Sequence, residues 1–370
     1  MKILFTFENF PPSNFGGIAI AMFPIVKEIS KQPYTNVKVL TTDYKIKKSK
    51  LPELNTWTVY DEIPIIYYRL KSVLSYYKYL LEGFRQVKKT DYVFLNSIFF
   101  FPNFFFLLLS IIFKKKTYIL PHGELLKPAL KIKYKKKYLY LKLIKFLIKN
   151  VTFITTSKQE SLCTLGIFPH SHVLIIPIFF NFSKPLNIKK FNQFLFLGRI
   201  TKIKKIENII LACSYSKYFL SKNYKLLIVG PTDKESLQYR SELKRLVSSR
   251  NLESNIEFMG EVLSPVKEKL LSQSKSLFVV SDSENFSNVV VESLAQGTPV
   301  VASKGTPWDK LINFNAGFWI DNSPDVIADK MDELISMSNE KYYEMSNNSL
   351  ILSQEFSKKK IFPIWLKLLK

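Results

Sequence analysis

The feature that most constrains this chain is an alternation that stops once and then restarts. Short apolar runs of β type recur along it, separated by stretches with helical periodicity. "MKILFTF" (1–7) is followed by Gly16-Gly17 and a helix-like stretch at 18–31. "VKVLTT" (37–42), "DYVFLNS" (91–97), "TYILP" (117–121) and "VTFITTS" (151–157) continue the series. Over 176–190, "IPIFFNFSKPLNIKK", the periodicity fails and Pro, Asn and Ser accumulate, which reads as a linker. "QFLFLGR" (193–199), "YKLLIVG" (224–230), "NIEFMG" (255–260), "SLFVVSD" (276–282) and "PVVAS" (299–303) then resume it. Strands alternating with helices are the pattern of βα units on a parallel sheet. A chain of 370 residues exceeds what a single core usually holds. The expectation is α/β architecture in two doubly wound domains, 1–180 and 190–355. The basic amphipathic segment 356–370 is expected to pack back on the first.

Charge bounds the partners. The formal net charge is +24, and residues 131–150, "KIKYKKKYLYLKLIKFLIKN", hold eight lysines and no acid, interleaved with tyrosines and aliphatics. Such a helix can bury an aliphatic stripe while its lysine stems reach outward. It reads either as a solvated face or as attraction to an anionic membrane surface or a phosphate-bearing substrate, each basic residue near anionic lipid being worth about 1 kcal/mol. No nucleic-acid-binding motif accompanies the charge, so a nucleic-acid partner is not expected. The most apolar stretch, 98–113, is interrupted by Pro102, Asn103 and Ser110 and is shorter than the roughly 20 residues a spanning helix needs. It is expected to be a buried or interfacial helix. The N-terminus reads as a first strand and not as a signal peptide. Cys163 and Cys213 lack metal-ligand spacing, which favours a reducing, cytoplasmic setting.

In open α/β sheets ligands bind beyond the carboxyl ends of the strands, and three candidate sites obey that rule. Gly16-Gly17 follows the first strand and opens a helix, whose N-terminus offers N–H groups to an anion. The pair lacks the spacing of a dinucleotide-binding loop. "FLGRITKIKK" (196–205) ends a strand with Gly198-Arg199 and supplies Lys202, Lys204 and Lys205, a guanidinium and ammoniums suited to phosphate. Its bland reading is a basic loop in a basic protein. "SENFSNVVVESLAQGTPVV" (283–301) places Glu284 at a strand end and Glu292 in the helix that follows, with Ser287 or Asn288 expected as N-cap and Gly297 closing the helix. Two surface acids would explain either glutamate alone. Together they suit one crevice, with sugar hydroxyls or a cation as partners.

These residues resemble a known family. Strand, E-x7-E, then a helix ending in A-x-G-x-P-V-V is similar to the retaining GT-B glycosyltransferases of family GT4, glycosyl transferases group 1. "GRITKIKK" is similar to that family's G-R-[IL]-x-x-x-K-G, and Gly16-Gly17 matches its N-terminal glycine loop. "LPHGELLKPALKIKYKKK" (120–137), "GTPWDKL" (305–311) and "AGFWI" (316–320) resemble the members that assemble bacterial surface polysaccharide. Serine at 287 and lysine at 205 stand where the family has glycine, and Ile178 replaces a frequent asparagine. Backbone N–H contacts do not require glycine while φ stays negative, so Ser287 is expected to keep donor binding on such a backbone.

The resemblance implies a GT-B fold, two Rossmann-like domains facing each other across a cleft, and transfer of a sugar from a UDP- or GDP-sugar. Glu292 would hold the ribose, and backbone near Met259-Gly260 would border the base. Arg199 and Lys204 would neutralise the departing diphosphate without a metal ion. Glu284 and the N–H groups of Asn285, Phe286 and Ser287 would orient the sugar, with Gly16 and Gly17 also on the donor side. His122, matching the family's histidine, would be a positioner or oxyanion partner; a lone histidine is otherwise more often structural. His170 and His172 are assigned to a surface turn. The implied acceptor is a glycan or a polyprenyl-pyrophosphate-linked glycan, for O-antigen, capsule or exopolysaccharide, at the cytoplasmic face of the membrane. Three other readings stay open. One is a metal-dependent GT-A transferase using Asp282 and Glu284. Another is a non-catalytic basic protein that binds membranes or polyanions. The third is a GT-B sugar-nucleotide epimerase.

Overall fold

The computed structural model describes all residues except 14–16, 47, 149, 150, 183, 187 and 370. Gly16 therefore lies outside the described residues, as do parts of the segments 131–150, 176–190 and 356–370. The chain divides into two units, Met1–Phe179 with Lys358–Lys370, and Phe180–Ser357.

The N-terminal unit runs β1 (Lys2–Asn9), α1 (Gly17–Ser30), β2 (Asn36–Thr42), β3 (Trp57–Tyr60), β4 (Ile63–Tyr68), α2 (Val73–Lys89) and β5 (Tyr92–Asn96). It continues with α3 (Phe101–Ile112), β6 (Lys116–Leu120), α4 (Lys127–Lys131), α5 (Tyr134–Ile144), β7 (Thr152–Thr155), α6 (Lys158–Ile167) and β8 (His172–Ile175). Its sheet has the order β3-β4-β2-β1-β5-β6-β7-β8. The central strands are apolar on both faces, as parallel strands covered by helices must be: Ile3, Leu4 and Phe5 of β1 are all fully buried.

Some elements depart from the sequence expectations and others follow them. The edge hairpin β3–β4 is antiparallel and turns through Asp61 and Glu62, both with positive φ. Only an edge position admits such a pair, and the run at 63–68 carries no turn signal that marks it as a strand. His172 does not lie in a turn but begins β8, with an exposed side chain. The basic segment is not one helix: Lys133 adopts φ 55°, which separates α4 from α5. The apolar stretch at 98–113 forms α3, a 12-residue helix that buries Phe106, Leu107 and Leu109. Among the described residues no helix is long and apolar enough to cross a membrane.

The C-terminal unit comprises β9 (Gln193–Leu197), α7 (Ile206–Tyr215), β10 (Lys225–Val229), α8 (Leu237–Ser249), β11 (Ile256–Gly260), α9 (Val266–Gln273) and β12 (Ser276–Val279). Then come α10 (Asn288–Ala295), β13 (Val300–Ser303), α11 (Lys310–Asn313), β14 (Gly317–Ile320), α12 (Pro324–Ser336) and α13 (Asn339–Gln354). Its six strands are parallel, in the order β11-β10-β9-β12-β13-β14. This is the doubly wound order in which connections from β9 run one way and those from β12 the other, so a crevice opens beyond the ends of these two strands. Helical spacing explains the packing: Ile206, Ile209, Ile210 and Cys213 form one buried stripe of α7.

The last helix, α14 (Lys358–Lys367), belongs to the N-terminal unit. Trp365 donates to the Pro177 carbonyl at 3.2 Å, and Tyr118 Oη donates to the Leu368 carbonyl at 2.8 Å. Lys358 pairs with Glu28 of α1 at 2.6 Å.

Candidate active site

In the C-terminal unit two loops meet at the switch point of the sheet. The loop after β9 carries Gly198, Arg199 and a short helical turn at Lys202–Lys204. The loop after β12 carries Ser281 to Ser287. The Asp282 N–H donates to the Ile203 carbonyl at 2.8 Å and ties the loops together. Lys204 Nζ forms an ion pair with Glu284, both side chains being largely buried. Ser281 donates to the same carboxylate oxygen, Oε1, at 2.7 Å. The loop after β13 supports Glu284 from below, the Gly305 carbonyl accepting the Glu284 N–H at 3.0 Å. A Cβ at Gly305 would lie 2.4 Å from the Ser281 carbonyl oxygen, so this close approach of two loops requires glycine.

The remaining residues have separate partners. Lys205 pairs with Asp282 at 3.4 Å, and Asn322 donates to Asp282 Oδ1 at 3.0 Å. Arg199 is 52% exposed and only loosely paired, 3.9 Å from Asp233. Glu292 pairs with Lys267 of α9 at 2.8 Å and not with Arg199 or Lys204. The two glutamates are thus held by different cations. Gly260 ends β11 with φ 74° and open space around its Cα, and its carbonyl accepts the Gly230 N–H at 2.7 Å. The Phe286 side chain is buried against Phe180, Trp308 and Phe356. Asn285 lies between Glu284 and Phe286 and has polar contacts of its own.

Two backbone details correct the sequence reading. Ser287 caps nothing with its side chain: it sits at φ 67°, ψ 78°, and α10 begins at Asn288. Its φ is positive, so the turn keeps the conformation that glycine favours even though serine occupies it. Lys205 does the same at φ 52°. Each such non-glycine residue costs about 1–2 kcal/mol, a strain that persists where surrounding structure fixes the turn.

In the N-terminal unit His122 stands just beyond β6, also left-handed, at φ 51°, and is followed by Gly123 at φ 85°. Two buried carboxylates fix this loop. Glu124 accepts from Ser97 Oγ at 2.7 Å and from the Ile98 N–H at 2.6 Å. Glu160 of α6 accepts the Gly123 N–H at 2.5 Å and the Thr156 N–H at 2.8 Å. Burial raises the pKa of Glu124 and pushes that of His122 down to about 3, so the imidazole is neutral in the physiological range. His122 Nε2 lies 2.9 Å from Asn96 Oδ1. Gly17 opens α1 at the carboxyl edge of the same sheet.

Residues 178–350 match the family described as glycosyl transferases group 1. The structure superimposes on HepE of Anabaena, solved in complex with UDP, with a TM-score of 0.81 at 17% identity over 100% of this chain and 99% of that one. The chain has the GT-B fold, and the family match falls within its C-terminal part. WaaG, a glycosyltransferase involved in lipopolysaccharide biosynthesis, gives a TM-score of 0.73 at 12% identity, covering 100% and 99%. In sequence, an uncharacterized glycosyltransferase of Methanocaldococcus jannaschii is 26% identical over 225 residues, covering 56% of each chain. The alpha-1,3/1,6-mannosyltransferase ALG2 of Kluyveromyces lactis is 27% identical over 168 residues, covering 38% of this chain and 33% of that one. The alignments therefore span about half or less of these relatives' own length.

The GT-B fold overturns the GT-A alternative, whose acidic pair falls here on a different architecture. Asp282 and Glu284 are neutralised by Lys205 and Lys204. Among the described residues no three His, Cys, Asp or Glu side chains cluster as metal ligands. The candidate site also contains residues that the sequence reading missed. Lys267 and Asp233 sit in helical and loop stretches with no distinguishing pattern. Ser281 and Gly305 lie within quoted motifs, where their tertiary partners are not visible. Asn96 had a signal, a lone amide ending an otherwise apolar strand at its carboxyl edge.

Proposed function

We propose that this protein is a retaining glycosyltransferase that moves a sugar from a UDP- or GDP-sugar to a glycan or polyprenyl-pyrophosphate-linked acceptor in surface-polysaccharide assembly. The observation that carries this reading is the Lys204–Glu284 pair at the β9/β12 switch point of a group 1 domain. HepE, the structural neighbour, is crystallised with UDP, with UDP and glucose, and with UDP-glucose.

The residues divide the work as follows. An ammonium has three N–H donors, so Lys204 keeps two for phosphate oxygens after pairing with Glu284. Arg199, exposed and loosely held, adds a paired donor. Negative charge grows on the diphosphate as it leaves, and cations already in place stabilise that transition state. No metal is required in this scheme. Lys204 and Ser281 both donate to Oε1 of Glu284, which leaves Oε2 to accept from a sugar hydroxyl. N–H groups of the 285–287 turn add further donors, and backbone at Gly260 borders the base. Glu292 accepts from the ribose hydroxyls, its orientation set by Lys267. His122 contributes a neutral imidazole toward a sugar hydroxyl. The departing phosphate accepts the acceptor's proton, so no dedicated protein base is invoked.

The acceptor is assigned to the N-terminal unit, on the cytoplasmic face of a membrane. Supporting this, a groove of about 720 Å³ runs beside α5, with Leu141, Phe146 and Ile148 on its walls and Lys142 and Lys145 at its rim. Leu139, Leu143 and Phe146 are more than half exposed on the same stretch, an arrangement suited to an anionic lipid surface. Flotation with vesicles containing anionic lipid should carry the protein upward. If the protein stays at the bottom of the gradient, the membrane assignment is wrong.

The donor assignment is tested by a nucleotide-sugar panel read by thermal shift in EDTA. A ligand at 100 times its Kd stabilises by about 2.7 kcal/mol, and one UDP- or GDP-sugar should raise the melting temperature by several degrees. No response to any member of the panel would refute it.

A further inference from the structure

Asn96 ends β5, and His122 stands just past β6, its neighbour, in which Leu120 is the register partner of Asn96. Asn96 is 1% exposed, and its Oδ1 lies 2.9 Å from His122 Nε2. An amide oxygen offers only lone pairs, so the hydrogen between the two must belong to the imidazole. Desolvation keeps that ring neutral, and a neutral imidazole carries one N–H. With the proton on Nε2, the other nitrogen, Nδ1, presents a bare lone pair.

The backbone that carries the amide is held from behind. Asn103 Nδ2 donates to the Asn96 carbonyl at 2.9 Å and to the Ser97 carbonyl at 2.8 Å, while its own Oδ1 accepts from Thr6 Oγ1 at 2.7 Å. The histidine is held as firmly, since its left-handed backbone sits between the Glu124 and Glu160 anchors. Among the described residues the Asn96 Nδ2 group has no hydrogen-bond partner, and the amide's side-chain hydrogen bond there is the one to His122. A buried amide that leaves one end unsatisfied is costly, which makes the bond at its other end the one that holds it.

We propose that Asn96 is a positioning residue that fixes His122 as the Nε2–H tautomer, so that Nδ1 meets a ligand hydroxyl as an acceptor. This rests on the reading of His122 as a sugar-contacting residue. It also sharpens that reading, because an imidazole in this state cannot donate to an oxyanion. The group it recognises must carry a proton: a hydroxyl fits, whereas a phosphate or carboxylate oxygen does not.

The test is the ¹⁵N spectrum of histidine-labelled full-length protein, in which His122 is one of three histidines and is assigned by comparison with His122→Gln. Wild type should show a protonated Nε2 and an unprotonated Nδ1 throughout the neutral range. A proton on Nδ1, as an inverted amide donating Nδ2 to the ring would give, overturns the proposal. Asn96→Ala should mix the tautomers and lower kcat by about 10- to 100-fold with little change in donor KM. Asn96→Asp should restore the Nε2–H form, recover most of kcat, and add an acid limb to the pH profile, because a nearby carboxylate raises an imidazole pKa by about 1–3 units. An unchanged tautomer and unchanged kcat in Asn96→Ala would also overturn it. A correct wild-type tautomer with a fully active His122→Gln would instead sink the sugar-contact reading and leave the positioning of the ring intact.

Discussion

Lys204 and Glu284 form an ion pair that bridges the loops leaving β9 and β12, the two strands between which the C-terminal sheet reverses its winding. The pair sets the position of both the ammonium proposed to meet phosphate and the carboxylate proposed to meet sugar. Glu284→Gln removes the charge from one side only. Lys204 keeps its own charge, so affinity for the bare nucleoside diphosphate should stay within a few-fold of wild type. The transfer rate should fall by about 10- to 150-fold, since a charged hydrogen bond at a reacting centre is worth about 1.5–3 kcal/mol. Calorimetry with the diphosphate alongside rate measurements with the sugar donor separates the two effects.

Ser287 pays for the shape of the turn below Glu284. It holds φ 67° where glycine would be unstrained, so Ser287→Gly should raise unfolding free energy by up to about 1 kcal/mol. Denaturant titration measures this directly. A loss of stability would show that the hydroxyl makes a contact outweighing the backbone strain.

Gly305→Ala should act in the opposite direction. The added methyl group would meet the Ser281 and Asp282 carbonyl oxygens at 2.4 and 2.5 Å, and relieving that overlap costs about 1–3 kcal/mol. Because the Gly305 carbonyl also receives the Glu284 N–H, donor binding should weaken along with stability. A variant that melts normally and binds donor normally would contradict the packing described for this loop.

The docking of α14 should depend on pH through Glu28. Burial alone would raise the pKa of Glu28, but hydrogen bonds and charge from Lys358 and Lys31 hold it below the ordinary value of 4.5. A depressed folded pKa adds stability that is present above the unfolded value and lost as pH falls through the folded one. Lys358→Ala should therefore destabilise by about 1 kcal/mol at pH 7, and the gap should narrow at pH 3. A gap that stays constant across that range would show that the lysine acts through packing alone.

How much of this was legible in the sequence depended on whether a feature is local. The strands "QFLFLGR" and "SLFVVSD" and the helix after Glu284 follow from apolar runs and turn residues, so Arg199, Lys204 and Glu284 could be assigned to strand ends. The edge hairpin at 57–68 could not, because its turn uses Asp61 and Glu62 in left-handed conformations that neither residue advertises. The turn at Ser287 was left open by the sequence, since serine stands where glycine is usual, and the structure preserves the glycine-like conformation. Partnerships such as Glu292 with Lys267 join residues 25 positions apart on two helices, and spacing carries no information about them. Asn96 lies between these cases: its position at a strand end was readable, but its bond to His122 needed the neighbouring strand.

The most direct measurement is the affinity of UDP and GDP for wild type, Arg199→Ala, Lys204→Ala and the double variant, by calorimetry in EDTA. We expect one nucleotide to bind wild type, each single variant to lose about 10- to 100-fold, and the double variant to show no measurable binding. Equal binding by wild type and the double variant, or no nucleotide binding by wild type, would contradict a donor site at the β9/β12 switch point.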